Sequence, residues 1–161
     1  SYDNQIDLTN AVSAMISFYA KWDIEADYDY VQFQVSTDGG NSWIGQCGNY
    51  TVPGTSANGS VQPQGGPVYE GSFSDWVLEE ISMSDYLGQV INVRFRLQSD
   101  GGVREDGFYF DDFKDVFIGV EYISKKGKEI VDRVKLPWGR KVRQAIQTEK
   151  KRAALKAKLQ R

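Results

Sequence analysis

Histidine is absent from the 161 residues, which excludes a serine or cysteine triad with an imidazole base, a His-ligated zinc site and a histidine-based pH switch. Cys47 is the single cysteine, so neither an internal disulfide nor a thiolate zinc cluster can form, and a lone thiol reads as a buried, unreactive side chain. Cysteine usage therefore does not reveal the redox compartment. No apolar run approaches the roughly 18 residues of a membrane span. The opening SYDNQIDLTN has neither the basic start nor the apolar stretch of a signal peptide. Proline is scarce at 4 residues, whereas glycine numbers 16 and aromatics make up 13%, a balance that suits a β-rich domain better than a helical bundle. The length allows one compact core that buries roughly two thirds of the unfolded surface.

Positive charge is nearly missing from the first part of the chain. Residues 1–115 hold 5 Lys and Arg against 18 Asp and Glu, a net −13, while residues 116–161 hold 14 against 4, a net +10. Such segregation predicts two physically different parts. We assign residues 1–118 to a β domain and residues 119–161 to a basic, mainly helical tail.

Alternation with a period of two marks the strands of the acidic part. Ala14, Ile16, Phe18, Ala20, Trp22 and Ile24 share one face of AMISFYAKWDI. In YDYVQFQVS, Asp29, Val31, Phe33 and Val35 oppose Tyr28, Tyr30, Gln32 and Gln34, and the segment runs into an Asp38-Gly39 turn, a strong hairpin signal. Trp76 to Ile81 reads as a strand. Ile91, Val93, Phe95 and Leu97 point inward along a strand from Val90 to Gln98, and Phe108 to Phe113 carries aromatics on both faces. Short strands at this spacing predict an all-β, antiparallel sandwich or jelly roll. Residues 48–71, dominated by Gly, Ser, Thr, Asn, Pro and Gln without a period, read as a long surface loop, either functional or a flexible insertion.

Three separated motifs carry a resemblance: IDLTNAVSAMISFYAKWDIEADYDYVQFQVSTDGGNSW, then WVLEEISMSDYLGQVINVRFRLQSDG, then DGFYFDDF. Over about residues 5 to 115 the chain resembles the MAM-like jelly-roll domain found C-terminal to the catalytic domain of secreted bacterial metallopeptidases, such as zinc carboxypeptidases and immune-inhibitor-A-like proteases. The resemblance implies a secreted or cell-surface location, a noncatalytic accessory role beside a parent catalytic domain, and often a structural calcium ion. It does not imply peptidase activity for this chain, and no zinc site is expected.

Calcium takes six to eight oxygen ligands. The candidates are Asp23, Glu25, Asp27 and Asp29 together with Asp111 and Asp112, which a jelly roll could bring close. Asp27, Asp29, Asp111 and Asp112 are the chosen set, with the adjacent pair foremost. Neighbours on a strand point to opposite faces, so both can serve only if the strand ends or bulges there. The alternative is that these carboxylates are solvated or cap turns.

Ser36 to Trp43 matches the Asp-box pattern S-x-D-x-G-x-[ST]-W, read as a hairpin brace in which Asp38 bonds turn amides and Trp43 packs beneath. Exposed aromatics, namely Tyr28, Tyr30, Tyr50, Tyr69 and Trp76, could stack on sugar rings of an extracellular glycan or meet a protein surface, although strands are rich in such residues for packing alone. A glycosidase carboxylate pair can be drawn from Glu79, Glu80, Glu105 or Asp106, but nothing in the sequence sets its spacing.

Arg140 to Arg161 lacks Gly and Pro and is rich in helix formers. This tail, with Lys150, Lys151 and Arg152 as its contacts, could bind nucleic-acid phosphates, dock on an acidic protein surface, or be foreign sequence. The alternative function is accordingly a structural or assembly protein whose basic arm binds nucleic acid or an acidic partner.

Overall fold

The computed structural model describes residues 5–119, with side chains up to residue 115. The strands are β1 (Gln5–Asp7), β2 (Ala11–Ile24), β3 (Tyr30–Ser36), β4 (Ile44–Gly45), β5 (Val52–Pro53), β6 (Pro67–Val68), β7 (Gly71–Ser82), β8 (Val90–Gln98) and β9 (Gly107–Gly119). They form one sheet in the order β1-β8-β3-β4, a second in the order β7-β2-β9 and a small β5-β6 pair, and every pairing is antiparallel. Two short 3-10 turns, Ala57–Gly59 and Ser84–Tyr86, are the helical pieces among the described residues. The antiparallel β expectation is met. The helical tail, with Lys150, Lys151 and Arg152, lies outside the described residues.

β2 is the middle strand of its sheet, and its period of two decides what is buried: Ala14, Ile16, Phe18, Ala20, Trp22 and Ile24 all face the core. Opposite them stand side chains of β3 and β8. The Phe18 ring meets Phe95 edge-on at 5.0 Å and Phe33 at 6.0 Å. Burying such a side chain stabilises the fold by roughly 1.5–3 kcal/mol, so this aromatic seam holds the two sheets together. The pairing of β2 shifts register opposite β7 between Ala20 and Trp22, and opposite β9 between Ser17 and Tyr19.

β3 departs from a simple in-and-out strand, because all seven of its residues are buried. A polar chain covers its outer side. Arg94 Nε donates to Gln34 Oε1 at 2.7 Å, Gln34 Nε2 donates to Gln32 Oε1 at 2.7 Å, and Gln32 Nε2 donates to the Pro67 carbonyl at 2.9 Å. Each buried amide is thereby paired, which removes the cost of burying it. β8 has the predicted bounds, with Ile91 and Val93 buried. Leu97, expected inward, is instead 58% exposed, beside the wholly exposed turn of residues 99–106.

The 48–71 segment is neither a flexible insertion nor a wholly surface loop. Val68 and Tyr69 are fully buried, and Tyr69 exchanges both backbone hydrogen bonds with Val31 at 2.8 and 3.0 Å. Side-chain hydrogen bonds take the place of hydrophobic periodicity there: Gln62 Oε1 accepts Thr55 N–H at 2.9 Å, and Gln62 Nε2 donates to the Asp29 carbonyl at 2.8 Å. Cys47, expected to be buried, is exposed. It follows Gln46, whose amide makes a last bond to the Phe33 carbonyl at 2.9 Å before the chain leaves the sheet.

Candidate functional site

The turn from β2 to β3 concentrates carboxylates. The amide of Asp29 donates to the Glu25 carbonyl at 3.1 Å, and Asp27 adopts a left-handed φ of 66° that lets its own amide donate to Glu70 Oε2 at 2.7 Å. Asp and Asn tolerate that conformation better than most residues. Gln62 Nε2 also donates to Glu70 Oε2, at 2.6 Å, so the turn is fastened to the 48–71 segment.

This folding sets Glu25, Asp29 and Asp100 together, with one carboxylate oxygen of each lying within 4.8 Å of the other two. Asp29 is 9% exposed, and its Oδ1 accepts the Asp100 amide at 2.8 Å. Glu25 Oε2 is buried and has no hydrogen-bond partner among the described residues. No ion pair reaches the cluster among the described residues; the recorded pair is Lys114 with Asp112. Carboxylates gathered this closely are an arrangement whose mutual charge a cation can neutralise. The donors are all oxygens, the ligand type that hard cations take.

Of the four selected metal candidates, Asp29 stands in this cluster and Asp27 in the same turn. Asp111 and Asp112 do not join them. They are exposed on β9, where Asp111 pairs with Tyr19, well down β2 from Glu25. A bulge is indeed present, with φ of 52° at Asp112, but Asp111 Oδ1 accepts the Asp112 amide at 2.7 Å and Asp112 pairs with Lys114 at 3.5 Å. Asp23 faces Ser72 and Gly107 across the sheet. The sequence reading missed Asp100. It lies in the turn after β8, and only the tertiary contact with Asp29 marks it out.

The proposed stacking aromatics separate. Tyr30 is buried with its hydroxyl donating to Gln98 Oε1 at 3.0 Å, Tyr69 is in the core, Tyr28 and Tyr50 are half-buried, and Trp76 alone of the five is 48% exposed. Strand pairing, not ligand contact, accounts for Tyr30 and Tyr69.

The Asp-box brace has the expected form. Asp38 Oδ1 accepts the Ser42 amide at 2.9 Å and the Ser36 hydroxyl at 2.7 Å, while Oδ2 accepts the Ser42 hydroxyl at 2.6 Å. Trp43 Nε1 donates to the Gly40 carbonyl at 2.9 Å, and the Arg94 guanidinium sits 4.0 Å from the Trp43 ring centre.

Of the candidate glycosidase carboxylates, Glu79 is taken up by the fold. Glu79 is fully buried and saturated: Oε1 accepts the Asn49 amide at 2.6 Å and the Glu80 amide at 2.9 Å, and Oε2 accepts the Tyr50 amide at 3.1 Å and the Tyr69 hydroxyl at 3.0 Å. Burial, with the Glu79 charge beside it, pushes the Tyr69 phenol pKa up and keeps it protonated. No lone pair of Glu79 is directed at a substrate.

Residues 1–133 match the model for the MAM domain of immune inhibitor A-like proteins. Bacillopeptidase F of Bacillus subtilis (strain 168) is 30% identical over 138 residues, covering 86% of this chain and 8% of that protein. Immune inhibitor A of Bacillus thuringiensis subsp. alesti is 26% identical over 106 residues, covering 65% of this chain and 14% of that protein. Pre-pro-metalloprotease PrtV of Vibrio cholerae serotype O1 (strain M66-2) is 30% identical over 101 residues, covering 63% of this chain and 10% of that protein. The chain thus spans 14% or less of the length of these relatives. What is matched is a MAM-type domain, a module separate from any peptidase's catalytic domain. The chain belongs to the immune inhibitor A-like MAM domain family.

Proposed function

We propose that this chain is a noncatalytic accessory domain of a secreted bacterial metallopeptidase, folded as a jelly roll and stabilised by calcium. The size ratio supports the accessory role: this segment corresponds to a tenth or so of proteins such as PrtV, named for metalloprotease activity, so most of each is left for other tasks. An extracellular location is part of the same reading. Among the described residues no helix is long and apolar enough to cross a membrane.

The observation that carries the calcium reading is that Glu25, whose Oε2 is buried with no hydrogen-bond donor among the described residues, gathers with Asp29 and Asp100. Such a group is costly unless an ion or proton compensates it. Calcium would be held by Glu25, Asp29 and Asp100, with further oxygens from backbone and water. Its role would be structural, joining the β2–β3 turn to the turn after β8.

The test compares the full gene product with a version lacking residues 5–119. Removal is expected to shorten the half-life of the secreted enzyme, or to weaken its attachment to a macromolecular substrate, while hydrolysis of a short peptide continues. Loss of short-peptide turnover with the fold of the remainder intact would place catalytic groups in this domain and reject the accessory reading.

A further inference from the structure

The outer face of the three-stranded sheet carries a second, chemically different feature. Positions that alternate with the core residues of β2 point outward, and register places Tyr109 of β9 opposite Lys21. The Lys21 ammonium lies 5.4 Å from the ring centre of Trp76 and 5.1 Å from that of Tyr109. The two rings flank it and are 48% and 42% exposed. Alongside is a recess of about 200 Å³ lined by Lys21, Asp23, Ser72, Ser74, Asp106 and Tyr109, with Trp22 and Phe73 bordering it. Lys21 forms no ion pair among the described residues, and two aromatic faces lie against its charge. Among the described residues the Asp23 carboxylate accepts no hydrogen bond.

The residue set selects among ligand classes. A hydrocarbon would cover the rings but leave Asp23, Ser72, Ser74 and Lys21 without partners. A phosphate would meet Lys21 and also Asp23 and Asp106, in a region that carries a net −13 over residues 1–115. A basic peptide would suit the carboxylates and be repelled by the central ammonium. A neutral pyranose satisfies every group, because its flat C–H face stacks on an indole or phenol while its hydroxyls donate to carboxylates and accept from an ammonium.

We propose that the Trp76, Lys21 and Tyr109 face binds a neutral, β-linked pyranose unit of a polysaccharide, stacked on Trp76 and hydrogen-bonded by Lys21, Asp23 and Asp106. The equatorial substituents of a β-linked glucose or N-acetylglucosamine unit leave the flattest C–H faces, which is why that linkage is chosen. The site would attach the accessory domain to a glycan surface. It deepens the accessory reading and depends on it only for the source of the sugar.

The test is a titration of the ¹⁵N-labelled chain with cellotetraose and, separately, chitotetraose, up to about 10 mM, the range where single-site sugar affinities fall. Shifts are expected at the Trp76 indole N–H and at the backbone of Lys21 and Tyr109. Trp76→Ala is expected to weaken binding about tenfold with an unchanged melting temperature, since the ring is half in water. Lys21→Gln checks the polar contribution and should weaken binding severalfold without touching the stack. The proposal is overturned if neither sugar shifts these signals, if the shifts map elsewhere, if both variants bind as the parent does, or if only an oligolysine peptide occupies the face. Failure of sugar binding leaves the deletion test of the accessory role untouched, so the two readings fail separately.

Discussion

The phenol of Tyr69 donates to Glu79 Oε2 at 3.0 Å, with both side chains fully removed from solvent. Tyr69 is bonded to Val31 of one sheet and Glu79 belongs to β7 of the other, so this contact crosses the sandwich. Glu79→Ala would strand one hydroxyl and three amides. We expect it to cost roughly 3–5 kcal/mol in urea unfolding, with Tyr69→Phe costing about 1–3 kcal/mol because it leaves the carboxylate three donors. Equal, small effects of both changes would show that the contact carries no stability.

Gly48 lies under the same carboxylate. A Cβ built on it would stand 2.5 Å from Glu79 Oε2 and 2.6 Å from Cδ, and four hydrogen bonds hold Glu79 in place. Gly48→Ala should therefore destabilise by about 1–3 kcal/mol, whereas Gly59→Ala, with open space around it but a φ of 88°, should cost only backbone strain. Matching melting temperatures for Gly48→Ala and the parent would contradict the close approach.

The Ser42 hydroxyl, with the Ser42 amide and the Ser36 hydroxyl, holds the Asp38 carboxyl well below its ordinary 3.8. A depressed carboxyl stabilises the fold above its unfolded pKa and loses that contribution as pH falls toward the folded value. Asp38→Asn should thus be less stable than the parent at neutral pH, and the difference should shrink below about pH 4. Urea midpoints across that range decide it; a pH-independent difference would mean that Asp38 acts by shape and not by charge.

Calcium should raise the melting temperature and a chelator lower it; at a hundred times the dissociation constant the linkage is about 2.7 kcal/mol. Glu25→Gln should abolish the response. Asp111→Asn should keep the response. A calcium effect surviving Glu25→Gln, Asp29→Asn and Asp100→Asn would move the ion elsewhere.

Cys47 is exposed, so a thiol reagent should label it at native pH without denaturant. Labelling only after unfolding would contradict its placement.

The strands were legible because one face of each is buried. β2 follows the period of two closely, and β8 has the bounds that the alternation predicts, although only Ile91 and Val93 of its inward set are buried. β3 and the 48–71 segment were less legible, since their burial depends on long-range polar partners such as Arg94, Pro67 and Glu79 that leave no periodic trace. Local sequence identified the Asp38 brace because its donors lie within a few residues. It placed Asp29 in the chosen metal set and Glu25 only among the wider candidates, while Asp100 joins them through a contact spanning 71 residues, and Trp76 and Tyr109 meet Lys21 only through the register of three strands.

The Glu79 clamp has a consequence for where the domain can persist. Exported modules of this size are often stapled by disulfides, which thiols can undo. Here the bond between sheets is made of a carboxylate, a phenol and backbone amides, none of which exchanges electrons. The sandwich should hold its shape equally well in oxidising and reducing surroundings.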